Sequence, residues 1–300
     1  MKNFKVLLIL CCAAFAGCSK SNDGSPAAVN NNDAVSVANP GAYVVKGKKG
    51  ADFNVNNTNG AWNTDIINLK SHWFYTWGNN IPLAQAPQNC EYVPMFWGKA
   101  DVTDNNIANV IQLKKQGKIS AVLGFNEPDL GDQSNMSVQD ALVAWPKLET
   151  IGLPLGSPAT SWPTSQWAYD FMDQAIAQKR RVDFICVHMY VGTDDVSFIQ
   201  VLKDLHAKYN KPIWVTEFAT ADWSAPTMAQ NHYTPAVVLA FMQRLLPQLE
   251  ALDYVQRYSW FSGDPKSAAL WSSALVDANG NLTTLGKWYA AYKPNADVKK

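Results

Sequence analysis

Leu123-Gly124-Phe125-Asn126-Glu127-Pro128-Asp129 is the stretch whose reading decides the fold. Residues 121–125 form a short apolar run without helical spacing, so they read as a buried strand that stops where Pro128 removes the next backbone donor. Glu127 therefore stands where a strand ends. A second stretch has the same form: Pro212-Ile213-Trp214-Val215-Thr216-Glu217-Phe218-Ala219 is an apolar strand whose last residues deliver another carboxylate. The two glutamates are 90 residues apart. A closed α/β barrel of about 250 residues uses about 30 per strand-helix unit, which places the glutamates three strands apart on one rim. The loops after the strands form a single mouth there, and a ligand could lie between the two side chains.

Working outward, the chain repeats one rhythm. Strands are predicted at 49–54, 72–77, 92–97, 121–125, 153–157, 183–190, 213–218 and 255–261, and helical patterns at 104–116, 137–148, 165–178, 194–209 and 234–249. Each helical pattern opens on Ser, Thr or Asp as an N-cap. Alternating strand and helix implies parallel strands with helical crossovers, and eight strands favour closure: an α/β fold, a (β/α)8 TIM barrel in a single catalytic domain. A doubly wound open sheet is the runner-up, but no Gly-x-Gly-x-x-Gly or Walker-type loop supports it. Asp277-Ala278-Asn279-Gly280-Asn281 is a turn signal, so a hairpin is expected within 272–284 before a closing helix at 285–292.

The ends of the chain read differently. Lys2 and Lys5 precede an apolar run at 6–16, shorter than the ~20 residues of a membrane span. Phe15-Ala16-Gly17-Cys18 then resembles the lipobox of bacterial lipoproteins, in which the cysteine becomes the lipidated N-terminus; an ordinary secretory peptide is the alternative. Residues 1–18 are thus expected to be a lipoprotein signal peptide. Residues 19–46, rich in Ser, Asn, Ala and Asp, are expected to be a flexible tether, 47–293 the barrel, and 294–300 a C-terminal tail. Cys11 and Cys12 leave with the leader, and Cys90 and Cys186 fall in settings too different for a bridge, so they read as free thiols. Lys+Arg and Asp+Glu each number 25, and loss of Lys2 and Lys5 leaves a slight acidic excess. That balance argues against nucleic acid as a partner.

Two rim carboxylates about 5 to 5.5 Å apart are the geometry of retaining glycoside hydrolysis. A single strand-end Glu could equally be an ion-pair partner; two at matching spacing point to catalysis. Their environments would separate the roles, since the acid must hold a proton and the nucleophile must stay ionised. No His-Glu-x-x-His or paired-His spacing occurs, so neither metal nor cofactor is expected. Twelve tryptophans, several at strand ends, suit the stacking of sugar rings.

The string 123–129 together with Trp214-Val215-Thr216-Glu217-Phe218 resembles the two signature segments of glycoside hydrolase family 128, retaining β-1,3-glucanases on a (β/α)8 barrel. The resemblance implies Glu127 as acid/base on the fourth strand and Glu217 as nucleophile on the seventh. It also implies Asn126 as partner of the sugar 2-OH, and Trp260 as floor of the cleaved subsite. On the sixth strand His188 and Tyr190 are expected to point inward, with Tyr190 donating to Glu217; a satisfied core histidine is the alternative for His188. Trp77, Trp97, Trp162 and Trp223 are candidate sugar platforms, or core. Many barrels of this clan orient the nucleophile with an early arginine, whereas here the first arginine is Arg180.

These readings converge on a lipid-anchored monomer of the bacterial cell envelope, at the outer membrane or cell surface, acting on β-glucan polysaccharide or oligosaccharide. Action on another β-glycan, or a non-catalytic glycan-binding role, remain the alternatives.

Overall fold

The computed structural model describes residues 47–56 and 61–300. The leader, Cys18 and the expected tether lie outside the described residues. Six parallel strands are laddered in the order β3-β2-β1-β6-β5-β4. They are β1 (Lys49–Asp52), β2 (Trp73–Tyr75), β3 (Glu91–Tyr92), β4 (Ile185–Val191), β5 (Ile213–Thr220) and β6 (Val255–Phe261). The expected fourth and fifth strands are present as extended segments held by isolated parallel bridges. Met95 pairs with Leu123, Val122 with Leu155, and Gly156 with Phe184. Those bridges run from the β3 side to the β4 side and close the ring, so eight segments form a barrel in which one half is fully laddered. Gly124 allows two backbones to approach closely in the sparse half: a Cβ there would lie 2.8 Å from the Gly156 carbonyl.

The helices are α1 (Trp62–Asn68), α2 (Asp104–Lys115), α3 (Val138–Glu149), α4 (Gln166–Ala177), α5 (Asp195–Tyr209), α6 (Pro235–Ala251) and α7 (Thr284–Ala291). In α2 to α7 the residue before the helix is Thr103, Ser137, Ser165, Asp194, Thr234 or Thr283, and its side chain accepts from an amide in the first turn. Helix α1, absent from the sequence reading, starts after Ala61, which has no side-chain oxygen to offer. Between β2 and β3 the chain has only a short 3-10 turn at Leu83–Gln85. The expected hairpin is present as the antiparallel Val276–Leu282 bridge. Residues 294–300 are docked on the barrel: the Asn295 amide donates to the carbonyls of Ser71 and Asn89, and Lys299 pairs with Gln88.

Side chains alternate between two apolar layers. Trp73, Met95, Leu123, Phe184, Cys186 and Trp214 fill the barrel interior. Phe218, Phe241, Tyr258 and Trp260 pack between strands and helices. Deep among the interior tryptophans lies one ion pair, Arg257 Nη2 to Glu91 Oε2 at 2.7 Å, with the guanidinium 3.9 Å from the Trp214 ring centroid. Cys90 and Cys186 are free and buried, and burial pushes both thiols up.

Candidate active site

Glu127 and Glu217 stand on the same rim, placed there by two departures from regular backbone. At β5 the register shifts: Val215 pairs with Val187, yet Glu217 pairs with His188, leaving Thr216 as the extra residue of a bulge. Simple alternation from inward-facing Trp214 would turn Glu217 toward the helices. The bulge returns it to the interior. At the other side Glu127 has φ +37°, a left-handed conformation uncommon for a residue with a side chain. Its amide donates to the Ala159 carbonyl at 2.7 Å, and the Asn126 amide donates to Trp97 at 2.9 Å. Asp129 accepts from the Ser161 amide and hydroxyl, so the loop is tied down on both flanks.

The two carboxylates and His188 form one cluster, with an oxygen of each glutamate and a ring nitrogen all within 4.8 Å of one another. The geometry fits the short separation of retaining enzymes rather than the roughly 6.5–9.5 Å that leaves room for a water between acid and base. Glu217 Oε1 accepts from the Tyr75 hydroxyl at 2.8 Å and the Trp77 indole at 2.7 Å, and Oε2 accepts from Tyr190. Donors converging on both oxygens suit a carboxylate poised for attack. Tyr75, Trp77 and Tyr190 therefore orient Glu217 without an arginine. The alternation Trp73, Tyr75, Trp77 carried that signal, since Trp73 faces the interior.

His188 links the pair: its Nδ1 lies 3.1 Å from Glu127 Oε1 and its Nε2 3.4 Å from Glu217 Oε1. Burial pushes the imidazole pKa down, but the Glu217 charge and the contact with Glu127 outweigh it and leave the pKa above the ordinary value. The inward placement of His188 and Tyr190 expected from alternation is what the structure has. Asn126 donates through Nδ2 to Gln133 at 3.2 Å, while its buried Oδ1 has no hydrogen-bond partner.

A cleft of about 710 Å³ opens above the pair. Trp77, Trp97, Tyr190, Trp223 and Phe261 supply its aromatic lining. Trp162, 40 % exposed, lies outside that lining, although its neighbour Ser161 belongs to it. The expectation for Trp260 is overturned: it is fully buried, donates to the Ser273 carbonyl and packs edge-on to Phe218 on the helix side of β6. Phe261, one residue on and so on the opposite face, reaches the cleft instead. Tyr75, Phe261, Gln133 and the rim carboxyl Asp52 were absent from the sequence reading.

A parallel barrel with two opposed carboxylates under an aromatic cleft defines a barrel-type glycosidase, and the family described as "Glycosyl hydrolase catalytic core" matches residues 50–289. A variant of a subgroup I endo-β-1,3-glucanase of family 128 from Amycolatopsis mediterranei, in complex with laminaripentaose, is 32% identical with a TM-score of 0.70, over 81% of this chain and 98% of that one. The subgroup II endo-β-1,3-glucanase of Pseudomonas viridiflava is 27% identical with a TM-score of 0.64, over 81% of this chain and 97% of that one. Alkali-sensitive linkage protein 1 of Schizosaccharomyces pombe is 29% identical over 256 residues, 82% of this chain; the chain spans 44% of that protein's length. The chain belongs to glycoside hydrolase family 128.

Proposed function

We propose that this protein hydrolyses β-1,3-linked glucan by double displacement, with retention at the anomeric carbon. The observation that carries the reading is the short separation of Glu127 and Glu217 at the floor of the aromatic cleft. Glu127 gives its proton to the glycosidic oxygen as Glu217 attacks C1, and the C1–O bond breaks to leave a glycosyl ester on Glu217. Glu127, now a carboxylate, takes a proton from water as that water attacks C1, and Glu217 leaves as a carboxylate. His188 holds Glu127 Oε1 in place between the two steps. Asn126 Oδ1 accepts from the sugar 2-OH, a contact that tightens as positive charge develops on the ring. Trp77, Trp97, Trp223 and Phe261 carry the neighbouring glucose units. The two endo-β-1,3-glucanases named above support the linkage.

The test is digestion of laminarin, with the anomer of the first-formed reducing end read by proton NMR. A β-anomer that mutarotates afterwards is expected, together with activity in Glu217→Gln at least about a thousandfold below wild type. An α-anomer, or near-wild-type turnover by Glu217→Gln, would end the mechanism. We also propose, from the lipobox-like Phe15-Ala16-Gly17-Cys18, that the enzyme is a monomer of the bacterial envelope anchored through lipid on Cys18. Labelling with radioactive palmitate that survives Cys18→Ala would refute the anchor.

A further inference from the structure

One carboxyl at the rim takes no part in the two displacement steps. Asp52 ends β1, in register with Tyr75 on one side and Phe261 on the other, and is 2% exposed. Its Oδ2 accepts from the Ser259 hydroxyl at 2.9 Å, with weak help from the amides of Ser262 and Asp52 itself; Oδ1 has no hydrogen-bond partner. The titratable groups that face it are Glu217 from β5, Tyr75 from β2, Tyr190 from β4 and Tyr289 from α7, all of them acids. Glu217 gathers three hydroxyl or indole donors and a nearby imidazole, where Asp52 gathers one hydroxyl.

Two buried carboxyl groups in one site do not both ionise readily, and the charge settles where donors are most numerous. Burial first, and then the Glu217 charge, push the Asp52 carboxyl well above the usual carboxylate range. We propose that Asp52 is a positioning residue, a neutral carboxyl group kept against the nucleophile so that the negative charge of the pair stays on Glu217. The inference rests on the glycosidase reading above. An ionised Asp52 would set a second anion beside Glu217 and draw the proton toward the nucleophile. The neutral acid instead offers an O–H donor at the otherwise unpartnered Oδ1.

Asp52→Ala and Asp52→Asn are compared with wild type on laminaripentaose across the pH range of activity. Infrared spectra at neutral pH report the C=O stretch of a protonated carboxyl. The alanine variant is expected to lose about tenfold in kcat with KM within about twofold. Asparagine, which mimics the neutral acid, should restore kcat to within about threefold and leave the acid limb of kcat/KM in place. The difference spectrum of wild type minus Asp52→Asn should show a protonated-carboxyl band beyond that of the general acid Glu127, which both proteins keep. Asparagine as poor as alanine, an acid limb that moves to lower pH by about one unit once a charge is removed, or no such band would each overturn the proposal. If the alanine variant does not fold, the asparagine profile and the spectra decide. A wild-type protein that leaves laminaripentaose intact would reject the substrate reading, while the spectra still judge Asp52.

Discussion

Removing the charge of Glu217 should discharge His188. The imidazole Nε2 lies 3.4 Å from Glu217 Oε1, and two unit charges at that distance attract by about 5 kcal/mol at an effective dielectric constant of about 20. Tyr75 and Trp77 share the same oxygen and dilute the effect. In Glu217→Gln the burial of His188 is unchanged and works unopposed by that anion, so its titration midpoint should fall by roughly two pH units or more. The assay is nitrogen-15 NMR titration, with His188 resolved from His72, His206 and His232 by single substitution. Stability gives a second readout. A folded-state pKa above the unfolded value means that His188 contributes stability in full below about pH 6.5, and loses it as pH rises through the folded value. The wild-type melting temperature should therefore fall across that window, and Glu217→Gln should flatten the slope. A His188 midpoint that moves by less than about half a pH unit would refute the electrostatic account of the cluster.

Phe261→Ala should reduce kcat/KM on laminarioligosaccharides about tenfold with little loss of stability, whereas Trp260→Ala should destabilise the fold by about 3–5 kcal/mol; denaturant titration and steady-state kinetics separate the two. Glu91→Gln strands the buried Arg257 guanidinium among tryptophans and should cost about 3–5 kcal/mol in the same titration, without moving KM. Lys49 is fully buried, donates to the Tyr289 and Ala290 carbonyls at the end of α7, and is pushed down to about 7 by burial and then by the Lys70 charge. Its folded value lies below the unfolded one, so unfolding free energy should rise with pH from about 7 toward 10, and Lys49→Met should remove that rise; a pH-independent difference between the two proteins would contradict it.

Much of this site was legible because it depends on local patterns. Proline after Asn126-Glu127 ends a segment, an apolar run before Glu217 marks a strand, and the β4 alternation sends His188 and Tyr190 inward. Helices with a hydroxyl or carboxyl cap were found; α1, capped by nothing, was not. The Trp260 reading went astray because it followed a resemblance where the pleat assigns the next residue to the cleft. No local pattern announces the Thr216 bulge: it exists only in the pairing of β5 with both neighbours, and without it Glu217 would face the helices. Asp52 was missed for a related reason. Its partners Ser259 and Glu217 are far away in sequence, so its burial and unpartnered oxygen are visible only in three dimensions.

The uneven lacing of the ring bears on how the reaction proceeds. Each residue of β4 is paired with β5, which carries the nucleophile, while the acid/base follows a segment fastened by single bridges. That segment is nonetheless pinned, for the amides of Val122, Leu123, Asn126 and Glu127 all donate to carbonyls of the neighbouring segments. Those amide protons should therefore persist in deuterium exchange alongside the ones along 213–220. A few bonds placed where the acid/base leaves its strand give it the stillness that a long ladder gives the nucleophile.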